Sequence, residues 1–185
     1  KTGYIDIEAN NSVLGYVEDN MEILSDDLPD EVSISLSANT QLGNALSGNL
    51  SGSYVAASYR ITGDLIIEAG NTVYLEAGTE FLFDGPYDFN VFGTLQAIGT
   101  ESDSIIFDNF GEEKWGGFIF TNATEDTEIR YARISGADKP NDKGGGMYVL
   151  TSDITLNHVI LSHNHAKWSG GIKLEYSDAT LNNVT

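Results

Sequence analysis

One feature constrains this 185-residue chain more than any other: it repeats itself near its end. The segment GGMYVLTSDITLNHV, from Gly145, returns as GGIKLEYSDATLNNV from Gly170, an offset of 25 residues. Gly145-Gly146 matches Gly170-Gly171, and Ser152-Asp153 matches Ser177-Asp178. Thr155-Leu156-Asn157 matches Thr180-Leu181-Asn182, and Val159 matches Val184. Self-similarity at such a period is the signature of solenoids.

An earlier copy is looser. Trp115-Gly116-Gly117-Phe118-Ile119-Phe120 corresponds to the stretch from Gly145 to Val149. Ile129, Ala132 and Ile134 correspond to Leu156, Val159 and Leu161. The extra residues of this copy fall around Ala137–Lys143, which reads as a surface loop. Each period holds short apolar runs that cannot bury a face alone. Stacked as coils about 4.8 Å apart, they would form ladders around an apolar cylinder. Met147 and Val149 are then expected against Ile172 and Leu174, Leu156 against Leu181, and Val159 against Val184. Asn157 would stack with Asn182 and Asp153 with Asp178. An Asp ladder is repulsive unless its carboxylates accept turn N–H bonds or share a cation.

The rest of the chain agrees. Residues 1–42 read as short strands broken by turns, with alternation at Tyr4–Glu8 and Val32–Leu36. Residues 13–24 are compatible with a strand pair or a short helix. The Gly-, Ser- and Asn-rich stretch 43–53 reads as a loop or linker. From Tyr54 onward, short β-branched and aromatic runs alternate with Gly, Asn and Asp, which predicts an all-β domain.

Charge narrows the partners. The chain has 9 Lys+Arg against 28 Asp+Glu, a formal net charge of -19. Such a chain is repelled by nucleic acid and by anionic membrane surfaces. No run approaches the roughly 20 apolar residues of a membrane span. Without Cys, disulfides, zinc–thiolate sites and thiol nucleophiles are excluded. The acids concentrate towards the front: residues 1–113 hold 20 acidic and 2 basic residues, and residues 114–185 hold 8 and 7.

The segment SHNHAKWSGGIKL resembles the turn-and-glycine signature of bacterial right-handed parallel β-helix repeat proteins, the pectin-lyase-like superfamily. In that pattern a turn Asn, here Asn164, precedes small residues and a Gly-Gly pair. GDLIIEAGNTVYLEAGTEFLF and FNVFGTLQAIGTESDSIIFDN resemble the opening coils of secreted and cell-surface members. The resemblance covers residues 54–185. It implies a right-handed parallel β-helix with coils of about 25 residues, preceded by an acidic β-rich cap or linker over residues 1–53. It also implies an extracellular or cell-surface location. The scaffold hosts lyases, hydrolases, adhesins and structural proteins alike, so it does not by itself assign an activity.

The candidate sites are few. Arg130 and Arg133, with Glu128 and Asp126, form the one Arg-plus-acid cluster and read as a surface salt-bridge group. Asp153 and Asp178 read as turn residues bonded to backbone. Neither set supports a catalytic assignment, and no catalytic residue is predicted. Asp138, Asn141 and Asp142, just before Gly144–Gly146, are the calcium candidates, because hard oxygen ligands suit Ca²⁺. They compete with a reading as a plain polar loop. His163 and His165 could hold a transition metal together, but read as solvent-facing turn residues, as does His158. Trp115 and Trp168 either cover coil corners or, with Tyr148 or Tyr176, stack sugar rings.

The expected function is a non-catalytic extracellular scaffold with a structural or adhesive role, binding surface glycans or other copies of itself. Two alternatives stand beside it. One is a polysaccharide-active lyase or hydrolase with its site on later coils. The other follows from the strand just before Thr185, which no polar cap follows: a subunit stacking head to tail through its open end.

Overall fold

The computed structural model describes the backbone of residues 15–23 and 32–40, and residues 44–185 in full. Two compact units divide at Leu42/Gly43. In the first, β1 (Gly15–Ile23) and β2 (Val32–Thr40) pair antiparallel, with Gly15 opposite Thr40 and Ile23 opposite Val32. Region 13–24 thus contains one strand. The Tyr4–Glu8 alternation lies outside the described residues.

The second unit is a parallel β-solenoid of about five turns, with no helix among its described residues. It starts with β3 (Asn44–Asn49) and β4 (Gly52–Tyr54), inside the stretch expected as a linker. These polar residues become strands because β3 pairs with β5 (Ser58–Ile67) and β4 with β6 (Thr72–Leu75). A neighbouring coil offers an edge whose N–H and C=O groups pair with any backbone. The next turn holds β7 (Glu80–Phe83), β8 (Asp88–Val91) and β9 (Thr94–Ile98). Then come β10 (Ile105–Asn109), β11 (Gly117–Thr121) and β12 (Glu128–Ser135). The last turns hold β13 (Asp138–Lys143), β14 (Met147–Leu150) and β15 (Thr155–Ser162), then β16 (His165–Trp168), β17 (Ile172–Glu175) and β18 (Thr180–Val184).

Three ladders run along the stack. On the first, Leu65, Phe89, Phe118, Met147 and Ile172 follow one another. On the second, Leu75, Ala97, Ile129, Leu156 and Leu181 do so. On the third, Tyr59, Phe81, Phe107, Ile134 and Leu161 align. The registers expected from the repeat are present for Met147 on Ile172, Val149 on Leu174, Leu156 on Leu181, Val159 on Val184 and Asn157 on Asn182.

The interior is aromatic. Six phenylalanines (Phe81, Phe83, Phe89, Phe107, Phe118 and Phe120) are fully buried. Phe89 stacks on Phe118 at 5.0 Å between ring centroids, and Phe107 meets Phe118 edge-on at 4.8 Å. Each such ring contributes about 1.5–3 kcal/mol by leaving water. Among the described residues, no buried side-chain nitrogen or oxygen lacks a hydrogen-bond partner.

Corners follow a rule of their own. Asn122, Thr151 and Tyr176 share a left-handed backbone conformation (φ 50°, 49° and 51°), and so do Tyr131, His158 and Asn183 (φ 44°, 54° and 51°). The register places each trio in a column, one residue per coil, where the chain turns from one face to the next. Non-glycine residues rarely adopt this region. Here a corner repeated in three successive coils demands it.

The segment Ala137–Lys143 is not a free loop. Most of it is β13, which pairs in parallel with β16 to form a two-stranded side sheet. Its sequence, DKPNDK, has no apolar residue to announce a strand. Partner backbone decides the outcome: Asp138 N donates to Trp115 O and Gly144 N to Trp168 O.

Candidate functional site

The side sheet and the outer side of the first ladder meet in the last turns. There Glu175 Oε2 accepts from Lys143 Nζ and from the Tyr148 hydroxyl, both at 2.6 Å. Lys173 Nζ lies 3.8 Å from Glu175 Oε1, and Lys143 Nζ sits 4.7 Å from the centre of the Tyr148 ring. Register explains the meeting. Tyr148 stacks on Lys173, Leu150 on Glu175, and Lys143 lies opposite Trp168. The bonds from Lys143 and Tyr148 hold the Glu175 carboxyl below its ordinary range. The same carboxylate raises the Lys143 ammonium and, with some burial, the Tyr148 phenol. This cluster is absent from the sequence-based candidates. The 25-residue repeat held the signal, because it sets Glu175 two residues beyond the partner of Tyr148.

Trp168 stands beside this cluster, 54% exposed, with Lys167 Nζ 4.4 Å from its ring centre. Tyr176, at 89%, is the next exposed ring along the chain. Trp115 is the opposite case. It is fully buried, stacks on Phe83 at 4.2 Å and donates Nε1–H to Ser135 O at 2.7 Å. Sugar stacking is therefore excluded for Trp115 and open to Trp168.

The three calcium candidates come together. Asp138, Asn141 and Asp142 line one open cavity of about 270 Å³ with Asp88 and Lys139. The Lys139 side chain, only 11% exposed, places its ammonium 3.1 Å from Asp88 Oδ1. Burial raises the Asp88 carboxyl; Lys139 opposes that shift, and Asp64 and Asp142 add to it. Asp138 Oδ1 is bonded to His165 Nδ1 at 2.6 Å, and Asp142 Oδ1 accepts from Lys143 N. A cation here would compete with Lys139 for Asp88 and with His165 for Asp138. Among the described residues, no three Asp, Glu, His or Cys side chains are grouped to hold a metal ion.

The remaining candidates separate. Arg130 pairs with Glu128 at 2.7 Å, while Arg133 turns to Asp108 at 3.5 Å rather than to Asp126. Asp153 Oδ1 accepts from Asp178 N at 2.7 Å, the backbone bond that lets carboxylates stack. His158 stacks on Tyr131 at 4.6 Å between ring centroids. His165 joins Asp138, while His163 lines a different cavity beside Asp108, so the two have separate surroundings. Asn164 is a cross-coil tie. Its Nδ2 donates to Ile134 O at 2.8 Å and its Oδ1 accepts from Ala137 N at 3.0 Å, tying two coils together. The glycine pair beside it is steric: a Cβ on Gly145 would strike the carbonyl oxygens of Gly170 and His165.

Comparison with known proteins returns no matching family model, no matching curated protein and no matching solved structure. The solenoid is therefore established by its own ladders. No helix among the described residues is long and apolar enough to cross a membrane.

Proposed function

We infer that this chain is a non-catalytic scaffold of the cell surface or extracellular space, whose coils hold and display an adhesive patch. One observation carries the reading: several outward charged side chains are paired from coil to coil. Arg60 pairs with Asp84, Arg133 with Asp108, and Lys143 with Glu175. Each pair joins neighbouring turns and braces the stack along its length. A buried aromatic column and coil-to-coil pairs together suit a stiff spacer.

The displayed element in this reading is Trp168, beside the cluster of Lys143, Tyr148 and Glu175. An exposed indole offers a flat apolar face for the C–H face of a sugar ring, and its neighbours offer hydrogen bonds. Surface glycans are thus the proposed partners. The test is binding of the whole chain to immobilised glycans, beside its Trp168→Ala variant, with product analysis on the same glycans. The reading expects retention that Trp168→Ala reduces at least about tenfold, the loss of one buried aromatic contact. It expects no new chain ends. Release of unsaturated uronate ends would overturn the scaffold reading in favour of a lyase.

A further inference from the structure

A second cavity lies away from Trp168. It is open, encloses about 280 Å³, and is lined by polar groups from three places in the fold. Lys114 comes from the loop before β11, Arg133 from β12, and His163 from the turn before β16. In a chain of net charge -19, such a gathering of basic side chains is unexpected.

The partners of these groups leave donors free. Lys114 Nζ touches the Asn109 amide oxygen at 3.4 Å. Among the described residues it has no carboxylate within salt-bridge range, Glu112 and Glu113 of its own loop included. Arg133 uses one nitrogen, at 3.5 Å, on Asp108. Asp108 is the one carboxylate lining the cavity, and its oxygens are engaged. Oδ2 accepts from the Ser135 hydroxyl at 2.7 Å and from Arg133, and Oδ1 accepts from Asn109 N at 2.8 Å. It therefore orients Arg133 and Ser135 and has little capacity left for a further donor. Gly136 keeps the floor low, since a Cβ there would strike Asn109 and Asp108.

We propose that this cavity binds a tetrahedral oxyanion group, a sulfate or phosphate monoester, through Lys114, Arg133, His163 and the Ser162 hydroxyl. A carboxylate is planar and is satisfied by one guanidinium fork. Donors converging from a loop, a strand and a turn suit an ion with oxygens pointing in several directions. Whether a sugar or another molecule carries the ester, the recognising chemistry is the same. The proposal uses residues distinct from the Trp168 patch, and either can fail without the other.

The test is an ¹⁵N NMR titration of the whole chain with sodium sulfate, sodium phosphate and sodium acetate at constant ionic strength. The expected result is saturable shifts centred on Gly136 and His163 for the two tetrahedral ions, and weaker ones for acetate. Lys114→Gln and Arg133→Gln should each weaken binding about tenfold, the worth of one charge-assisted bond. Lys167→Gln, on the other patch, should leave it unchanged. Asp108→Asn should tighten it by removing a nearby negative charge, and thermal melts would establish that the variants fold. A sulfated disaccharide that outbinds a phosphorylated monosaccharide would identify a sulfated glycan; the reverse order would identify a phosphomonoester. Acetate matching sulfate, shifts spread over all surface lysines, or unchanged affinity in both Lys114→Gln and Arg133→Gln would overturn the proposal.

Discussion

Trp115 shows what a single side chain can fix. Its ring fills the space against Phe83 and Phe118, and its N–H satisfies the Ser135 carbonyl. Trp115→Ala should cost about 3–5 kcal/mol through lost burial and the cavity left behind. Trp115→Phe keeps most of the packing but leaves a buried carbonyl unpaired, at about 1–3 kcal/mol. Urea denaturation of both variants reads the difference. Glu175 offers a second test at this scale. Its folded carboxyl titrates below the ordinary value of 4.5, so its stabilisation is present above that value and is lost as pH falls through the folded one. The melting temperature of Glu175→Gln should lie below wild type at pH 7, and the gap should close on acidification below pH 4.5. A gap that is constant with pH would remove the linkage.

Elements of this fold are decided between coils. Asn164 bonds the backbone of the preceding coil at Ile134 and Ala137. Asn164→Ala should cost about 1–3 kcal/mol for two orphaned backbone groups. Hydrogen exchange should quicken first in β13 and β16, before the three main ladders. The corner columns give the opposite sign. Thr151 is β-branched and left-handed at φ 49°, and Asn122 occupies the equivalent corner one coil earlier. Asn tolerates that conformation better, so Thr151→Asn should gain about 0.5–1 kcal/mol, measurable as a raised denaturation midpoint.

This scale also explains what the sequence made legible. The last turns were readable because Asp153 and Asp178, or Asn157 and Asn182, keep both identity and a 25-residue spacing. Earlier turns hide the same ladders. Spacing is 22 between Ser58 and Glu80 and 32 between Leu95 and Thr127. A column such as Leu65, Phe89 and Phe118 conserves apolarity and burial but not residue type. β13 was hidden for another reason. Its pairing comes from β16 across the stack, and DKPNDK carries no pattern of its own. The Lys114–Arg133–His163 cavity was equally out of reach, since its members meet only once the register is known.

At the scale of the whole molecule, charge and stacking oppose each other. The net charge of -19 favours expansion, and added salt should relieve it. Thermal stability is expected to rise by a few degrees between about 20 mM and 300 mM NaCl, over which the Debye length shrinks several-fold. A flat or falling curve would mean that coil-to-coil ion pairs such as Arg60–Asp84 outweigh the general repulsion. The stack itself is nearly one-dimensional, since each turn touches only its neighbours.

The side sheet carries a lesson about growth. One turn swings out the six residues Asp138–Lys143, and the following turn lays His165–Trp168 against them while the ladders behind stay in register. The cross-section has widened without any change to the apolar cylinder. Such a fin needs no apolar core of its own, because each of its two strands satisfies the backbone of the other. New surface, with its lysines, indole and carboxylates, is thus gained while the packing of the interior is unaltered.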